Sequence, residues 1–211
     1  MKFLFLIIAS LLLFAGCKNR SAGRDKEENI ANPDRTKLQE PDKDSVLLQL
    51  THTILILIRN NDYKSLAGYI HPVSGLRFSP NGFIDTVQDV IMQREKLMEE
   101  AGNKKQYKIK WGVFDGSGEP ITMTFNEYVQ TFVYDVDFVN PEIIKVNKMI
   151  GKGNALNNLL AVYKDCDFTE SHFSGFDKKY EGMDWRSLRL VYKKIAGKYY
   201  LVGIIHDQWT I

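Results

Sequence analysis

The side chains with the most chemical reach in this sequence are His52, His71, His172 and His206, together with Arg77, Asp184 and Trp185. An imidazole titrates near neutral pH, so each histidine can act as acid, base or ligand if its element aims it at a cavity. His206 stands in His206-Asp207-Gln208-Trp209, at the end of a strand pattern. Successive strand residues face opposite ways, which sets His206 with Tyr200, Val202 and Ile204, and Asp207 with Leu201, Ile205 and Trp209. Neighbours on opposite faces cannot form one acid–base couple unless a bulge brings them together. The enzymatic possibility is therefore His206 facing a cavity with another acidic partner, such as Asp184; the plain one is a core histidine with a satisfied hydrogen bond. His71 precedes Pro72 and reads as a loop residue closing a helix, and His52, within an apolar helix, reads as a packing or capping residue. Arg77 can clamp a carboxylate or phosphate with its planar fork, or it can pair with a buried aspartate, Asp115 or Asp184, to fix a loop. Asp184-Trp185-Arg186 beside His172 can frame a platform for a sugar ring, whereas a tryptophan just before a strand more commonly enters the core.

Other chemistries lack their residues. No His and Cys pairs recur at metal-ligand spacing, and Asp115-Gly116-Ser117-Gly118-Glu119 lacks the alternating oxygen ligands of a calcium loop. There is no Gly-x-Ser-x-Gly elbow and no phosphate-binding glycine loop, so no catalytic residue, metal or cofactor is assigned. The net charge of +2 is spread along the chain with no basic stripe interleaved with aromatics, which gives nucleic-acid binding no support. Of the two cysteines, Cys166 reads as a small buried hydrophobe.

The amino end has its own logic. Met1-Lys2, an almost unbroken apolar run from Phe3 to Phe14 and the small pair Ala15-Gly16 form a signal peptide over residues 1–16, too short to span a bilayer as a stable helix. Phe14-Ala15-Gly16-Cys17 resembles the lipobox of bacterial lipoproteins, which implies that Cys17 is acylated and becomes the first mature residue. The membrane is then a partner through a lipid anchor, and the chain belongs to the cell envelope, outside the cytoplasm. Residues 17–44 are expected to be a tether, because their charged and polar residues bury too little to fold; seven basic and seven acidic side chains between Lys18 and Asp44 cancel, so this is not a polybasic arm. With Cys17 acylated no intramolecular disulfide is available, and a single globular domain over residues 45–211 must be held by its core.

The elements that must position the candidate residues follow from periodicity. Ser45 to Asn60 is expected to be a helix capped by Ser45, with Val46, Leu50, Ile54 and Leu57 on one stripe, and Asp62 caps a second helix through Tyr69. Gly75 to Phe78 and Val90 to Met92 are candidate strands, Arg94 to Glu100 a helix, and Tyr107 to Phe114 a strand before the Asp115-to-Gly118 turn. Thr124-Phe125-Asn126-Glu127 has the form of a capping box. Ala155 to Tyr163 reads as a helix with Leu156, Leu159, Leu160 and Tyr163 on one face, between strands at Ile143–Met149 and Cys166–Phe173. Ser187–Lys194 and Lys198–Trp209 form a closing hairpin about Ala196-Gly197. Helices first and antiparallel strands last argue α+β, with the helices packed on a curved, mainly antiparallel sheet.

The combination of His71-Pro72 with Gly75 to Pro80, Trp111 with Asp115 to Pro120, Gly182 to Arg189, and Gly203 to Trp209 resembles a group of bacterial lipoprotein domains of unassigned function. The order of elements is similar to the nuclear-transport-factor-like, or cystatin-like, cone. The resemblance implies no activity. The expected function is noncatalytic binding of a small ligand, a glycan or another envelope protein at a concave face of the sheet, with His71, Arg77, His172, Asp184, Trp185 and His206 as candidate contacts. The alternatives are a cone-fold enzyme using His206 and an acidic partner in a pocket, and a plain spacer.

Overall fold

The structure is a computed structural model that describes residues 41–105 and 107–210. The expected signal peptide, the expected lipidation of Cys17 and the expected tether as far as residue 40 lie outside the described residues.

The first helix, α1 (Lys43–Arg59), begins two residues before the expected start, because Asp42 rather than Ser45 is its cap. The Asp42 carboxylate accepts from the Ser45 amide at 3.1 Å and from the Ser45 hydroxyl at 2.6 Å, so the serine serves the cap instead of being it. The buried stripe is also rotated: Leu47, Thr51, Ile54, Leu55 and Ile58 enter the core, while Val46, Leu50 and Leu57 pack at its margin. His52 falls on the outer face and is exposed, neither packing nor capping. Asp62 caps α2 (Tyr63–Ala67) as expected, although this helix is only five residues long.

The chain then lays down β1 (Leu76–Ser79), β2 (Val90–Met92), α3 (Arg94–Gly102), β3 (Ile109–Val113) and β4 (Pro120–Met123). The fourth strand was not expected, since Pro120 opens it, a place where the missing N–H costs nothing at the edge of a two-stranded ribbon. The capping box forms at α4 (Phe125–Phe132), with Thr124 and Glu127 exchanging side-chain-to-backbone bonds. β5 (Ile143–Val146), α5 (Leu159–Val162), β6 (Asp167–Phe173), β7 (Arg186–Ile195) and β8 (Lys198–Gln208) complete the fold. The helix expected from Ala155 to Tyr163 shrinks to the four residues of α5, and Leu156 and Leu160 are 80% and 65% exposed while Leu159 is buried. Apolar spacing alone there suggested a face that the sheet does not meet.

Six strands form one sheet in the order β2-β1-β8-β7-β6-β5, antiparallel throughout except where β1 runs parallel to β8, and β3 and β4 pair separately. The architecture is thus α+β with a mainly antiparallel sheet and a carboxyl-terminal hairpin. The inner face of the sheet carries Leu188, Leu190, Tyr192, Tyr199, Leu201 and Ile204 against the helices and the β3–β4 ribbon, in a core centred on Trp111 stacked 3.9 Å over Tyr128. The outer face carries Phe168, Val191, Val202 and Ile205, covered by the segments around Ile84 and Leu159.

One irregularity redistributes β8. Val191 pairs with Gly203 and Tyr192 with Leu201, which leaves Val202 as an extra residue in a bulge and reverses the alternation there. His206 therefore shares its face with Ile204, Leu201 and Tyr199, not with Tyr200 and Val202 as strict alternation predicts. Asp207 points to the outer face with Ile205, away from Leu201. The expected separation of His206 from Asp207 holds, because the bulge lies upstream of both.

Candidate functional site

The outer face of the sheet holds a buried charged network that motif and spacing did not single out. Alternation puts Glu170 and His172 of β6, Ser187 and Arg189 of β7, and Asp207 of β8 on that one face, and register brings them together. Arg189 donates Nε to Glu170 Oε2 at 3.0 Å and Nη2 to Glu170 Oε1 at 3.1 Å, a bidentate pair in which both side chains are fully buried. Its Nη1 lies 2.8 Å from Asp207 Oδ2. Glu170 also accepts from the Ser187 hydroxyl at 2.6 Å and from the amides of Ile150 and Gly151 at 2.9 and 2.8 Å. Burial raises the Glu170 carboxyl, but the charge of Arg189 and these hydrogen bonds outweigh it and hold the group below its ordinary value. At Asp207 the balance reverses: burial exceeds the pull of Arg189, and the carboxyl sits above its ordinary value.

His172 belongs to this network, with Nδ1 2.8 Å from the Ser187 hydroxyl. Burial lowers its pKa despite nearby Glu170 and Glu142, so the ring is a neutral structural partner at pH 7. Trp185 is 5% exposed and lies against the His172 ring at 5.9 Å, which leaves no open aromatic face for a sugar. Gly151 packs against Trp185, and a Cβ there would come within 2.6 Å of Trp185 and the Ser187 hydroxyl. Asp184 turns away and accepts from the amides of Phe176 and Asp177 at 3.0 and 2.8 Å, fixing a loop.

His206 lies on the opposite, inner face and is wholly buried, edge-on to Phe132 at 5.7 Å. Its acidic partner is Asp135, not Asp184: Nε2 is 3.3 Å from Asp135 Oδ2, and Arg186 donates Nε to the same oxygen at 2.9 Å. A cavity of about 430 Å³ opens at this point, lined by Asp135, Arg186, Phe114, Phe132 and Gln208. Burial raises the Asp135 carboxyl, but the hydrogen bond from His206 and the charges of His206 and Arg186 bring it below its ordinary value. His206 reaches the cavity only through Asp135.

His71 is buried in the turn after α2, where Nδ1 accepts from the amides of Val73 and Ser74 at 3.1 and 2.8 Å. Burial, together with Lys193 and Arg94, lowers its pKa, so it serves as a neutral turn-former.

Arg77 has a different setting. It lies at the floor of a cleft of about 370 Å³ between the outer face of the sheet and the segment that leads from α5 into β6. Its side chain is 12% exposed, yet its one carboxylate contact is loose: Nη1 is 3.9 Å from Asp89 Oδ2 and 3.3 Å from the Asp85 carbonyl. Neither Asp115 nor Asp184, the expected partners, is involved. Asp89 is a weak counter-charge as well, since burial pushes its pKa up to about 7, above what Ser79 and Arg77 can offset. The cleft wall includes Tyr163, Cys166, Ile91, Val162 and Val202, and its rim includes Lys164 and Lys193. Tyr163 closes over Gly203, where a Cβ would meet its hydroxyl at 3.0 Å.

The structure therefore scatters the candidate residues: His71 in a turn, Arg77 in the cleft, His172 with Trp185 in the outer-face network, His206 on the inner face, and Asp184 in a loop of its own. The sequence signal for the network is Glu170 and Arg189 two residues from Phe168 and Val191 on the same strand faces, where charge beside apolar residues needs a partner. The lysines of the cleft gave no such signal, because both are exposed. Among the described residues no cluster of three or more His, Cys, Asp or Glu side chains is placed to hold a metal ion, and no helix is long and apolar enough to cross a membrane. Comparison with family models, curated proteins and solved structures finds no match to this chain.

Proposed function

We propose that this chain is an envelope lipoprotein, anchored outside the cytoplasm through acylated Cys17, whose domain binds a small ligand without transforming it. The observation that carries the binding reading is the cleft beneath the α5–β6 segment, where a largely enclosed arginine meets solvent with a loose carboxylate partner. Its volume, about 370 Å³, is in the range of small-molecule sites. Catalysis draws less support, because His172 and His71 are spent on structural hydrogen bonds. We also read the helices over a mainly antiparallel sheet with a terminal hairpin as the cystatin-like cone, and the motif combination as that of the lipoprotein domains of unassigned function.

A thermal-shift panel of neutral, cationic and anionic small molecules tests the binding reading. A ligand at about 100 times its dissociation constant contributes roughly 2.7 kcal/mol, which shifts the melting temperature measurably. A panel that leaves the melting temperature unmoved would turn the assignment toward a spacer. Metabolic labelling with a fatty acid, lost in Cys17→Ser, tests the anchor.

The second reading, an enzyme working from His206, is favoured by Asp135, which His206 and Arg186 hold ionised at the wall of the inner-face cavity. It requires that Asp135→Asn abolish turnover of some substrate while the melting curve is retained.

A further inference from the structure

We propose that the Arg77 cleft is a receptor for a small organic phosphate of the phosphomonoester class, with the phosphate on Arg77, Lys164 and Lys193 and the organic part against Ile91, Val162 and Val202. The proposal rests on the binding reading of the same cleft and adds the chemistry of its ligand.

Charge is the first ground. Arg77, Lys164 and Lys193 line the cleft against one lining carboxylate, Asp165, with the half-ionised Asp89 behind Arg77, which leaves between one and two positive charges in excess. Among the described residues neither lysine is within ion-pair distance of a carboxylate, so both ammonium groups are uncommitted. A phosphomonoester, with a charge of about −1.5 to −2 at neutral pH, matches that excess.

Desolvation is the second. A guanidinium that is 12% exposed, with a 3.3 Å bond to a carbonyl, the Tyr163 hydroxyl beside it and a 3.9 Å approach to Asp89, has no close carboxylate, and its planar fork fits two phosphate oxygens. A largely enclosed cation without a close counter-ion gains from an anion that completes it. Of the wall groups that could supply that anion, Asp165 is exposed and outside ion-pair distance of Arg77, and the remaining two carry no charge. Burial keeps the Cys166 thiol and the Tyr163 hydroxyl above their ordinary values, so both are neutral at pH 7.

Shape is the third. The lysines stand at the rim and Arg77 at the floor, while Ile91, Val162 and Val202 supply apolar wall. Inorganic phosphate would leave that wall wet, whereas an organic ester covers it.

The test is calorimetric titration of the full chain in nonionic detergent with phenyl phosphate, inorganic phosphate and phenol. Phenyl phosphate is expected to bind, inorganic phosphate about tenfold more weakly, and phenol not measurably, with binding that weakens as salt rises. Arg77→Gln should reduce the phenyl phosphate affinity by about tenfold or more. The Lys164→Gln/Lys193→Gln double variant, at two exposed positions that leave the core untouched, should lower it by a similar factor. Bound phenyl phosphate should also slow maleimide modification of Cys166, which reports the location. Equal binding of phenol and phenyl phosphate, or an affinity unchanged in the double variant, would overturn the phosphate assignment and leave the binding reading standing. If phenyl phosphate fails while another compound of the panel protects Cys166, the ligand class is wrong; if no compound does so, the cleft is not a binding site and both readings fall.

Discussion

Asp89 shows at the scale of one residue how the fold holds the cleft ready. Its side chain is almost fully enclosed, with one carboxylate oxygen lacking any hydrogen-bond partner, and burial pushes its pKa up to about 7. A carboxyl whose native pKa is raised binds its proton more tightly in the folded state than in the unfolded one. Its favourable contribution is therefore complete below about pH 4 and is lost as pH rises through about 7. Asn, which cannot ionise, escapes that loss. Asp89→Asn should leave stability nearly unchanged at pH 4 and raise it by about 1–3 kcal/mol at pH 8.5, since each tenfold difference in proton affinity between the folded and unfolded states is worth about 1.4 kcal/mol. Urea unfolding at the two pH values measures the difference, and a gain that does not depend on pH would place its origin elsewhere than ionisation. Arg77 keeps spare charge for the same reason: its nearest carboxylate is half protonated near neutrality.

Elements whose signals are local were legible in the sequence, and elements set by distant partners were not. The capping box at Thr124 and Glu127 and the Asp62 cap involve residues three apart, and the terminal hairpin turns on two adjacent ones, so each formed as expected. By contrast, the Val202 bulge depends on the pairing of β8 with β7, the truncation of α5 depends on what the sheet covers, and Glu170 meets Arg189 only through strand register. The candidate site suffered the same way: His206 was legible as a residue of interest, but its partner Asp135 is 71 residues away in the loop after α4. The hairpin itself carries a prediction. Its two turn residues, Ala196 and Gly197, have φ of 47° and 83°, the pattern of a turn that favours Asn-Gly. Alanine in the left-handed region costs about 1–2 kcal/mol, and asparagine less, because its side chain can bond locally. Ala196 is exposed, so Ala196→Asn should raise stability by about 0.5–1 kcal/mol with no other change. Gly197→Ala should lower it by about the same amount, although its added Cβ meets open space, and thermal melts of the two variants should move in opposite directions.

For the molecule as a whole, the bidentate Arg189–Glu170 pair ties three strands of the sheet to the segment that covers its outer face. It links β6 to β7, reaches Asp207 on β8, and through the amides of Ile150 and Gly151 fastens the segment that covers the outer face. Apolar packing on that face is thin, with Phe168, Val191, Val202 and Ile205 the buried residues of the sheet there, so position depends on the polar contacts. A buried ion pair need not add net stability over well-packed apolar side chains, because removing both charges from water costs nearly what their attraction returns. Removing one partner is different. Arg189→Met leaves Glu170 and Asp207 enclosed as like charges with no cation between them, which should cost about 3–5 kcal/mol and loosen the covering segment. Glu170→Leu/Arg189→Met should recover part of that loss, since two like charges no longer face each other and Asp207, whose carboxyl already lies above its ordinary value, can take a proton. The Glu170 substitution also removes the acceptor for the Ile150 and Gly151 amides, so the double variant should be more stable than Arg189→Met alone yet exchange those two amide protons faster. Denaturant unfolding gives the first half of this outcome and hydrogen exchange the second. A double variant as unstable as Arg189→Met alone would mean that the pair is itself the source of stability; full protection at Ile150 and Gly151 would mean that packing around Trp185, not Glu170, holds the cover in place.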